Sequence, residues 1–260
     1  MPLDPIQHAS REQFQKQSHR YARGHILEQT QDVTAALDGL ALPAGAEALD
    51  VATGAGHTAF CLARAGFHVT ASDLTPAMLE RVREGAAERG LDIGTRQHCA
   101  EALPYPDATF QLVSCRVAPH HFSSPGEFVR ESARVLKPGG WFLVIDGTVP
   151  DDEPEAEAWL HQLEKLRDSS HNRLLPPREW RSLCERHGLA VQKLDVAFRK
   201  QPDLEWYFDT AATTPENREK VHSLIASAAD PIRLHYRLAE EEGKIVWWWP
   251  MLTLLAQKPG

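Results

Sequence analysis

The stretch ALDVATGAG, residues 48–56, decides the fold. It starts as a short apolar run, which predicts a buried strand, and it ends in a glycine loop. Residues 57–65 then show a helical pattern that stops at Gly66. Because Gly54 and Gly56 have no Cβ atom, the backbone of the loop can come close to a ligand. The stretch therefore predicts a strand, a tight loop and a helix whose first N–H groups are free to bind an anion.

The same alternation continues along the chain and predicts a parallel sheet. Apolar strands alternate with amphipathic helices, which is typical of βαβ units covered by helices on both faces. Right-handed crossovers then give a doubly wound, Rossmann-like α/β fold. The predicted strands after the first are FHVTAS (67–72), residues 95–99, FQLVSC (110–115), WFLVID (141–146), LAVQKLDVAF (189–198) and IVWWWPMLTLLAQ (245–257), seven in all.

The order of the predicted strands and helices indicates one domain over residues 1–260, with three parts. Residues 1–40 are polar and helix-prone and predict an N-terminal helical cap. Residues 41–150 carry the first five strands and form the predicted cofactor-binding core. Residues 151–260 form a C-terminal part with a helical insertion at about 202–244, which interrupts the last two strands. Aromatic residues in that insertion are candidates for the wall of a substrate pocket. Loops and caps vary in sequence between related proteins while the sheet supports them, so substrate specificity is expected to lie there.

Composition excludes several classes of function. Hydrophobic residues make up 42% and charged residues 25%, and the formal net charge of −8 comes without a basic run. A nucleic-acid substrate is therefore not expected. No segment approaches the roughly 20 apolar residues of a membrane span, and the first residues have no signal-peptide core. Four scattered cysteines predict reduced thiols in a cytoplasmic protein, without a zinc site. The oligomeric state is open, with a homodimer as one option.

The predicted ligand site lies at the carboxyl ends of the strands, where open α/β sheets bind their ligands. The glycine loop offers backbone N–H groups there, and Asp73 at the end of the second strand can accept hydrogen bonds from both hydroxyls of a ribose. Together they predict a nucleoside with an anionic tail. The glycine loop and Asp73 do not identify the cofactor on their own, because GAGHTA at residues 54–59 also fits the GxGxxA pattern of NAD-binding folds.

Five motifs in order carry a family resemblance. They are LDVATGAGH, TASDLTPAML, AEALPYPDATF, SCRVAPHHF and RVLKPGGWFLVID. Through them the chain resembles class I S-adenosylmethionine (SAM)-dependent methyltransferases, especially the small-molecule branch that includes enzymes like the ubiquinone/menaquinone biosynthesis C-methyltransferases. The resemblance covers about residues 15–190 and implies a seven-stranded sheet, mostly parallel, with a final antiparallel hairpin. It also implies SAM as cofactor and S-adenosylhomocysteine (SAH) as product.

Asp50 favours SAM over NAD, since a carboxylate in front of the glycine loop attracts an ammonium group and repels a pyrophosphate. Tyr21 and His25 are four residues apart in an N-terminal segment for which the resemblance implies a lid over the cofactor, and an amphipathic helix packed on the sheet is the alternative. The resemblance implies contacts from Ala52, Thr53, Gly54 and Gly56 to the methionine portion, from Asp73 to the ribose, from Leu74, Met78, Ala100 and Glu101 to the adenine side, and from Cys115 or Arg116 beside the methyl group.

His120 and His121 are the predicted catalytic residues. They follow the fourth strand, on the rim where the methyl group and a small-molecule acceptor should meet, and histidine titrates near neutrality as a general base should. No acidic or cysteine cluster accompanies them, so no metal is expected. The predicted reaction is methyl transfer to a quinone-like, phenolic or other metabolite. An NAD-dependent oxidoreductase and a non-catalytic SAM-binding protein are the alternatives.

Overall fold

A seven-stranded sheet runs through the centre of the computed structural model, which describes residues 3–21 and 26–260 and only the backbone at Arg20 and Tyr21. The strands are β1 (Glu47–Val51), β2 (His68–Asp73), β3 (Ile93–Gln97), β4 (Phe110–Arg116), β5 (Leu136–Gly147), β6 (Ala190–Lys200), β7 (Ala239–Glu241), β8 (Lys244–Val246) and β9 (Trp248–Gln257). The helices are α1 (Pro5–Gln17), α2 (Gln31–Leu37), α3 (His57–Arg64), α4 (Pro76–Arg89), α5 (Pro125–Val135), α6 (Pro154–Arg167), α7 (Pro177–Arg186), α8 (Leu204–Ala211), α9 (Pro215–Ala226) and α10 (Asp230–His235).

The strand order is β3-β2-β1-β4-β5-β9-β6. The pairs from β3 through β5 are all parallel, whereas β9 is antiparallel to both of its neighbours, β5 and β6. The chain therefore reverses its order at β1 and β4, which places a crevice at the carboxyl ends of these two strands. The predicted Rossmann-like fold with a C-terminal antiparallel pair is confirmed.

Both faces of the sheet are covered because neighbouring residues of each strand point to opposite sides. Ala48 packs with α2, α3 and α4 on one face, and Leu49 packs with α5 and α7 on the other. The same alternation separates Leu112 from Val113 and continues through β5. The pattern explains why the central strands read as continuous apolar runs.

Residues 201–247, here called the insertion, lie between β6 and β9. They contain α8, α9, α10 and the small β7–β8 hairpin, and they share an apolar cluster with α6. The stretch 245–257 was predicted as one strand, but the structure divides it between β8 and β9. Trp247 lies between the two strands, and its side chain is fully buried. Among the described residues, no helix is long and apolar enough to cross a bilayer.

Helix α1 lies across the site end of the sheet and touches two separate regions. The side chains of Gln13 and Gln17 both donate to the carbonyl of Ala211, at the end of α8, at 3.1 and 3.0 Å. Near the start of α1, Gln7 Nε2 donates to a carboxylate oxygen of Glu101 at 3.1 Å. One helix thus connects the loop after β3 to the insertion.

Replacing Gly56 with alanine is expected to lower the free energy of unfolding by about 2–4 kcal/mol, measured by urea denaturation. Its φ is +92°, and an added Cβ would lie 2.9 Å from Phe60 and 3.1 Å from Val82. The matched control is Gly54→Ala, where φ is +55° but nothing lies within 4 Å of the added atom. That variant should lose only about 1–2 kcal/mol. Equal losses in the two variants would show that the contacts of α3 with α4 do not limit this position.

Candidate active site

A cavity of about 910 Å³ lies over the loops that follow β1 to β4, with α1 above it, and is here called the first cavity. Most residues predicted to bind the cofactor line it. These are Ala52, Thr53, Gly54, Asp73, Leu74, Met78, Ala100, Glu101 and Arg116, and the predicted catalytic His121 joins them. The topology explains this, because parallel strands bring their carboxyl ends to one edge of the sheet.

Asp73 holds the glycine loop against the end of β2. One carboxylate oxygen accepts the N–H of Gly54 at 3.0 Å, and the other accepts the N–H of Thr75 at 2.8 Å. Burial raises the pKa of Asp73, and the hydrogen bonds from Thr75 and Gly54 oppose that rise. The carboxylate borders the first cavity with lone pairs beyond those used by the backbone.

Asp50 lies behind the loop rather than in the cavity. Its side chain is 1% exposed, and its two oxygens accept the hydroxyls of Thr53 at 2.6 Å and Ser114 at 2.7 Å. Burial raises its pKa to about 6, while the two hydroxyl bonds act in the opposite direction. The structure thus makes Asp50 a support of the glycine loop. Gly56 likewise does not line the cavity, since it starts α3 and packs against Phe60.

The two candidates at the end of β4 separate onto opposite faces of the sheet. Cys115 is fully buried in the apolar cluster beneath α5 and does not line the first cavity, because alternate strand residues face opposite sides. Arg116 does line it, yet its guanidinium is occupied. It donates to Asp32 at 3.0 Å and to the carbonyls of Leu27 and Gln29 at 2.9 and 2.6 Å. Arg116 therefore fastens the segment before α2 over the cavity.

Glu101 is also engaged in the structure. One oxygen accepts the N–H and the hydroxyl of Ser123, both at 3.0 Å, and the other accepts from Gln7 of α1. Its carboxylate ties α1 to the loop before α5. The side chain of Tyr21 and all of His25, both expected in the N-terminal lid, lie outside the described residues.

A second cavity, of about 1440 Å³, opens between the insertion and the sheet. It shares Phe14, Leu27, Val117 and His121 with the first cavity, so the two spaces meet at these four residues. Its other walls combine aromatic, polar and charged side chains, namely His120, Arg167, Asp168, Arg199, Lys200, Gln201, Trp206, Tyr207, Trp249 and Met251 among others. Trp206, Tyr207 and Trp249 come from the aromatic stretches singled out in the sequence, whereas Phe208 and Trp247 are buried in the core.

His120 forms a buried pair with Asp146. Its Nδ1 lies 2.7 Å from one oxygen of that carboxylate, and its backbone N–H donates to the other at 3.0 Å. Burial disfavours a charged imidazole, but the carboxylate of Asp146 outweighs it and raises the pKa of His120. With Nδ1 turned to Asp146, Nε2 lies on the opposite edge of the ring and carries the lone pair when the imidazole is neutral.

His121 has a different set of partners. Its Nδ1 lies 3.1 Å from the carbonyl oxygen and 3.2 Å from the hydroxyl of Ser170, and that hydroxyl donates to Asp168 at 2.6 Å. Burial, together with the neighbouring His120, lowers the pKa of His121 to about 3. The two adjacent histidines thus have opposite pKa shifts.

Sequence reasoning found only some of the residues around the histidines. Asp146 ends the predicted strand WFLVID, and nothing local showed that it would meet His120. Asp168, Ser170 and His171 belong to the polar run RDSSH at 167–171, whose polar density predicts an ordered turn near the pocket. His171 is 1% exposed, its ring lies 5.6 Å from that of His120, and neither of its ring nitrogens has a hydrogen-bond partner. Within the described ranges, no group of three or more potential ligands is arranged to hold a metal ion.

Comparisons with known proteins agree with this geometry. A methyltransferase domain family matches residues 49–144. The uncharacterized methyltransferase YcgJ of Bacillus subtilis is 33% identical over 211 residues, which cover 80% of this chain and 81% of that protein. Its crystal structure superposes with a TM-score of 0.83 over 91% of this chain and all of that one. The ubiquinone biosynthesis O-methyltransferase of Caulobacter vibrioides is 41% identical over 101 residues, or 38% of this chain and 40% of its own.

The chain belongs to the class I SAM-dependent methyltransferases. It is therefore an enzyme that moves a methyl group from SAM to an acceptor, and the alternative of hydride transfer with NAD is set aside. The glycine loop that admitted both cofactors by its pattern serves methyl transfer in this family.

Replacing Asp50 with asparagine should change how stability depends on pH. With a pKa of about 6 in the folded chain and about 4 in the unfolded chain, Asp50 favours folding at low pH and loses that contribution as pH rises from about 4 to 6. The variant removes the buried charge, so its free energy of unfolding should exceed that of the unmodified protein by about 2–3 kcal/mol near pH 8. The difference should vanish near pH 4. Denaturation curves at both pH values check this, and an unchanged difference would contradict it.

Proposed function

We propose that this protein methylates a small molecule, with SAM in the first cavity and the acceptor in the second. The observation that carries the proposal is that the two cavities meet at Phe14, Leu27, Val117 and His121. Methyl transfer requires the donor and the nucleophile in line and in contact. Two adjoining spaces with a shared boundary meet that requirement.

The residues around the first cavity fit SAM. The first cavity combines an apolar lining with a few polar groups, as small-molecule sites do. Asp73 would hold the ribose hydroxyls, Leu74 and Met78 offer an apolar surface for adenine, and the loop at 52–54 offers backbone groups to the methionine portion. SAM supplies a methyl group made electrophilic by the sulfonium charge. The protein therefore has to orient the acceptor, exclude water and take up a proton where the nucleophile carries one.

The second cavity fits an acceptor with an aromatic or other apolar body. Trp206, Tyr207 and Trp249 provide flat walls, and Met251 adds an adaptable one. At the rim, Lys200 pairs with Glu241, and Arg199 shares the carboxylate of Asp32 with Arg116, so each of these cations already has an acidic partner within the protein. A phenolic or quinol-like molecule suits such walls. The described part of residues 3–40 and the insertion then act as the two covers of the site.

His120 is placed to act as the general base. Asp146 holds its Nδ1, so that Nε2 is available to a hydroxyl of the acceptor in the second cavity. The proton of that hydroxyl passes to Nε2, and the imidazolium that forms is stabilised by the carboxylate of Asp146. Asp146 is a positioning residue, since it acts on the acceptor only through His120.

Replacing Asp73 with alanine is expected to raise the dissociation constant of SAM at least about tenfold, because two hydrogen bonds to the ribose are lost. Isothermal titration calorimetry measures the constant directly. Asp195→Ala is a suitable control, since that carboxylate lies on the exposed edge strand β6, away from both cavities. Unchanged SAM affinity in the Asp73 variant would refute its assignment to the ribose.

Replacing His120 with alanine should slow methyl transfer by about 10²–10⁴-fold while leaving SAM affinity nearly intact. Activity is followed as transfer of label from tritiated SAM to a panel of phenols, quinols and amines. Because His120 must be neutral to act, the rate should rise with pH through its raised pKa. Asp146→Asn should shift that rise to lower pH and reduce kcat. Equal losses of SAM binding and turnover would instead indicate a structural role for His120.

A further inference from the structure

His121 occupies the boundary between the two cavities. It lines both of them, and its ring lies 4.2 Å from that of His120 and 4.9 Å from that of Phe14, centre to centre. A methyl group that moves from the first cavity to the second must pass this boundary. With SAM in the first cavity, His121 would lie beside the part of the cofactor that differs between SAM and SAH.

Hydrogen bonding fixes where the proton of His121 lies. The hydroxyl proton of Ser170 is committed to Asp168, so the hydroxyl oxygen and the carbonyl oxygen of Ser170 both present lone pairs to Nδ1 of His121. Two acceptors around Nδ1 require the proton there. The neutral ring then has its lone pair on Nε2. Since Ser170 lines neither cavity and His121 lines both, this lone pair lies on the cavity side of the ring.

Burial is the main reason why the His121 ring is neutral. It is 7% exposed, and His120 lies against it. The nearby carboxylate of Asp168 favours a charged ring, but burial, His120 and Arg167 together outweigh it. Burial and the neighbouring His120 lower the pKa of His121 far below neutrality. The guanidinium of Arg116, which also lines the first cavity, pairs with Asp32, a carboxylate that it shares with Arg199. At the boundary between the cavities, Nε2 of His121 thus offers the lone pair of a neutral ring, which can interact with a positively charged group of a ligand.

We propose that Nε2 of His121 recognises the sulfonium charge and makes the first cavity select SAM over the neutral product SAH. This inference rests on the proposed binding of SAM in the first cavity. The contact is a charge-assisted interaction of the lone pair with the polarised methyl group. When the methyl group leaves, the positive charge leaves with it and the attraction is lost. His121 would therefore favour exchange of SAH for a new SAM molecule, a task separate from the proton uptake assigned to His120.

The test uses His121→Asn, whose amide nitrogen can replace Nδ1 toward Ser170 while nothing replaces Nε2. Calorimetry would compare SAM, SAH and sinefungin, which carries a protonated amine in place of the sulfonium group. The dissociation constants of SAM and sinefungin should rise about three- to tenfold, and that of SAH by less than about twofold. His121→Gln, whose side-chain oxygen can reach the place of Nε2, should retain the preference for the two charged ligands. It also serves as the second variant if His121→Asn does not fold.

Phe14→Leu is the matched control, since Phe14 also lines both cavities but has no lone pair. It should change the three dissociation constants by the same factor. Equal changes for SAM and SAH in His121→Asn, or no change for either, would overturn the inference. Failure of the proposed cofactor site has a different signature, because the unmodified protein would then bind none of the three ligands or would be insensitive to Asp73→Ala.

Discussion

The site depends on the hydrogen bonds that the buried carboxylate of Asp50 accepts. It binds the hydroxyl of Thr53 in the glycine loop and the hydroxyl of Ser114 in β4, and the carbonyl of Asp50 itself accepts from Ser72 of β2. One residue therefore fastens three neighbouring strands and the loop that they support. Its burial is costly, as the raised pKa of Asp50 shows. Asp73 completes the arrangement from the other side by holding the N–H of Gly54.

The two adjacent histidines differ in their protonation because their surroundings and hydrogen-bond partners differ, although they are neighbours in the chain. His120 faces a carboxylate directly, which stabilises its charged form, whereas burial and the neighbouring His120 keep His121 neutral and the oxygens of Ser170 hold its proton on Nδ1. A charge on one opposes a charge on the other, since their rings are 4.2 Å apart. In the proposed reaction, His120 would accept the proton of the acceptor and His121 would offer a neutral lone pair at the boundary between the cavities.

Local patterns predicted the parts of this structure that local interactions determine. The strand–loop–helix unit at 48–64 and the place of Asp73 followed from apolar runs, glycines and strand ends, and so did the sheet. Pairings between distant segments could not be predicted in this way. Asp146 meets His120 across 26 residues, and Gln17 reaches Ala211 across 194. Cys115 and Arg116 were equivalent in sequence, and only the facing of β4 in the folded sheet separates them.

The reversal of β9 has a consequence for how such enzymes can diversify. Because β9 runs against β6, the end of β6 and the start of β9 are paired neighbours, with Lys200 opposite Trp248. The insertion thus leaves the sheet and returns to it at one point. Paired strand residues are only about 5 Å apart, so a segment of another length or sequence can be joined there at little cost in chain entropy. A chimera in which residues 201–247 are exchanged would keep the sheet and the first cavity, and it would present different residues on the insertion side of the second cavity.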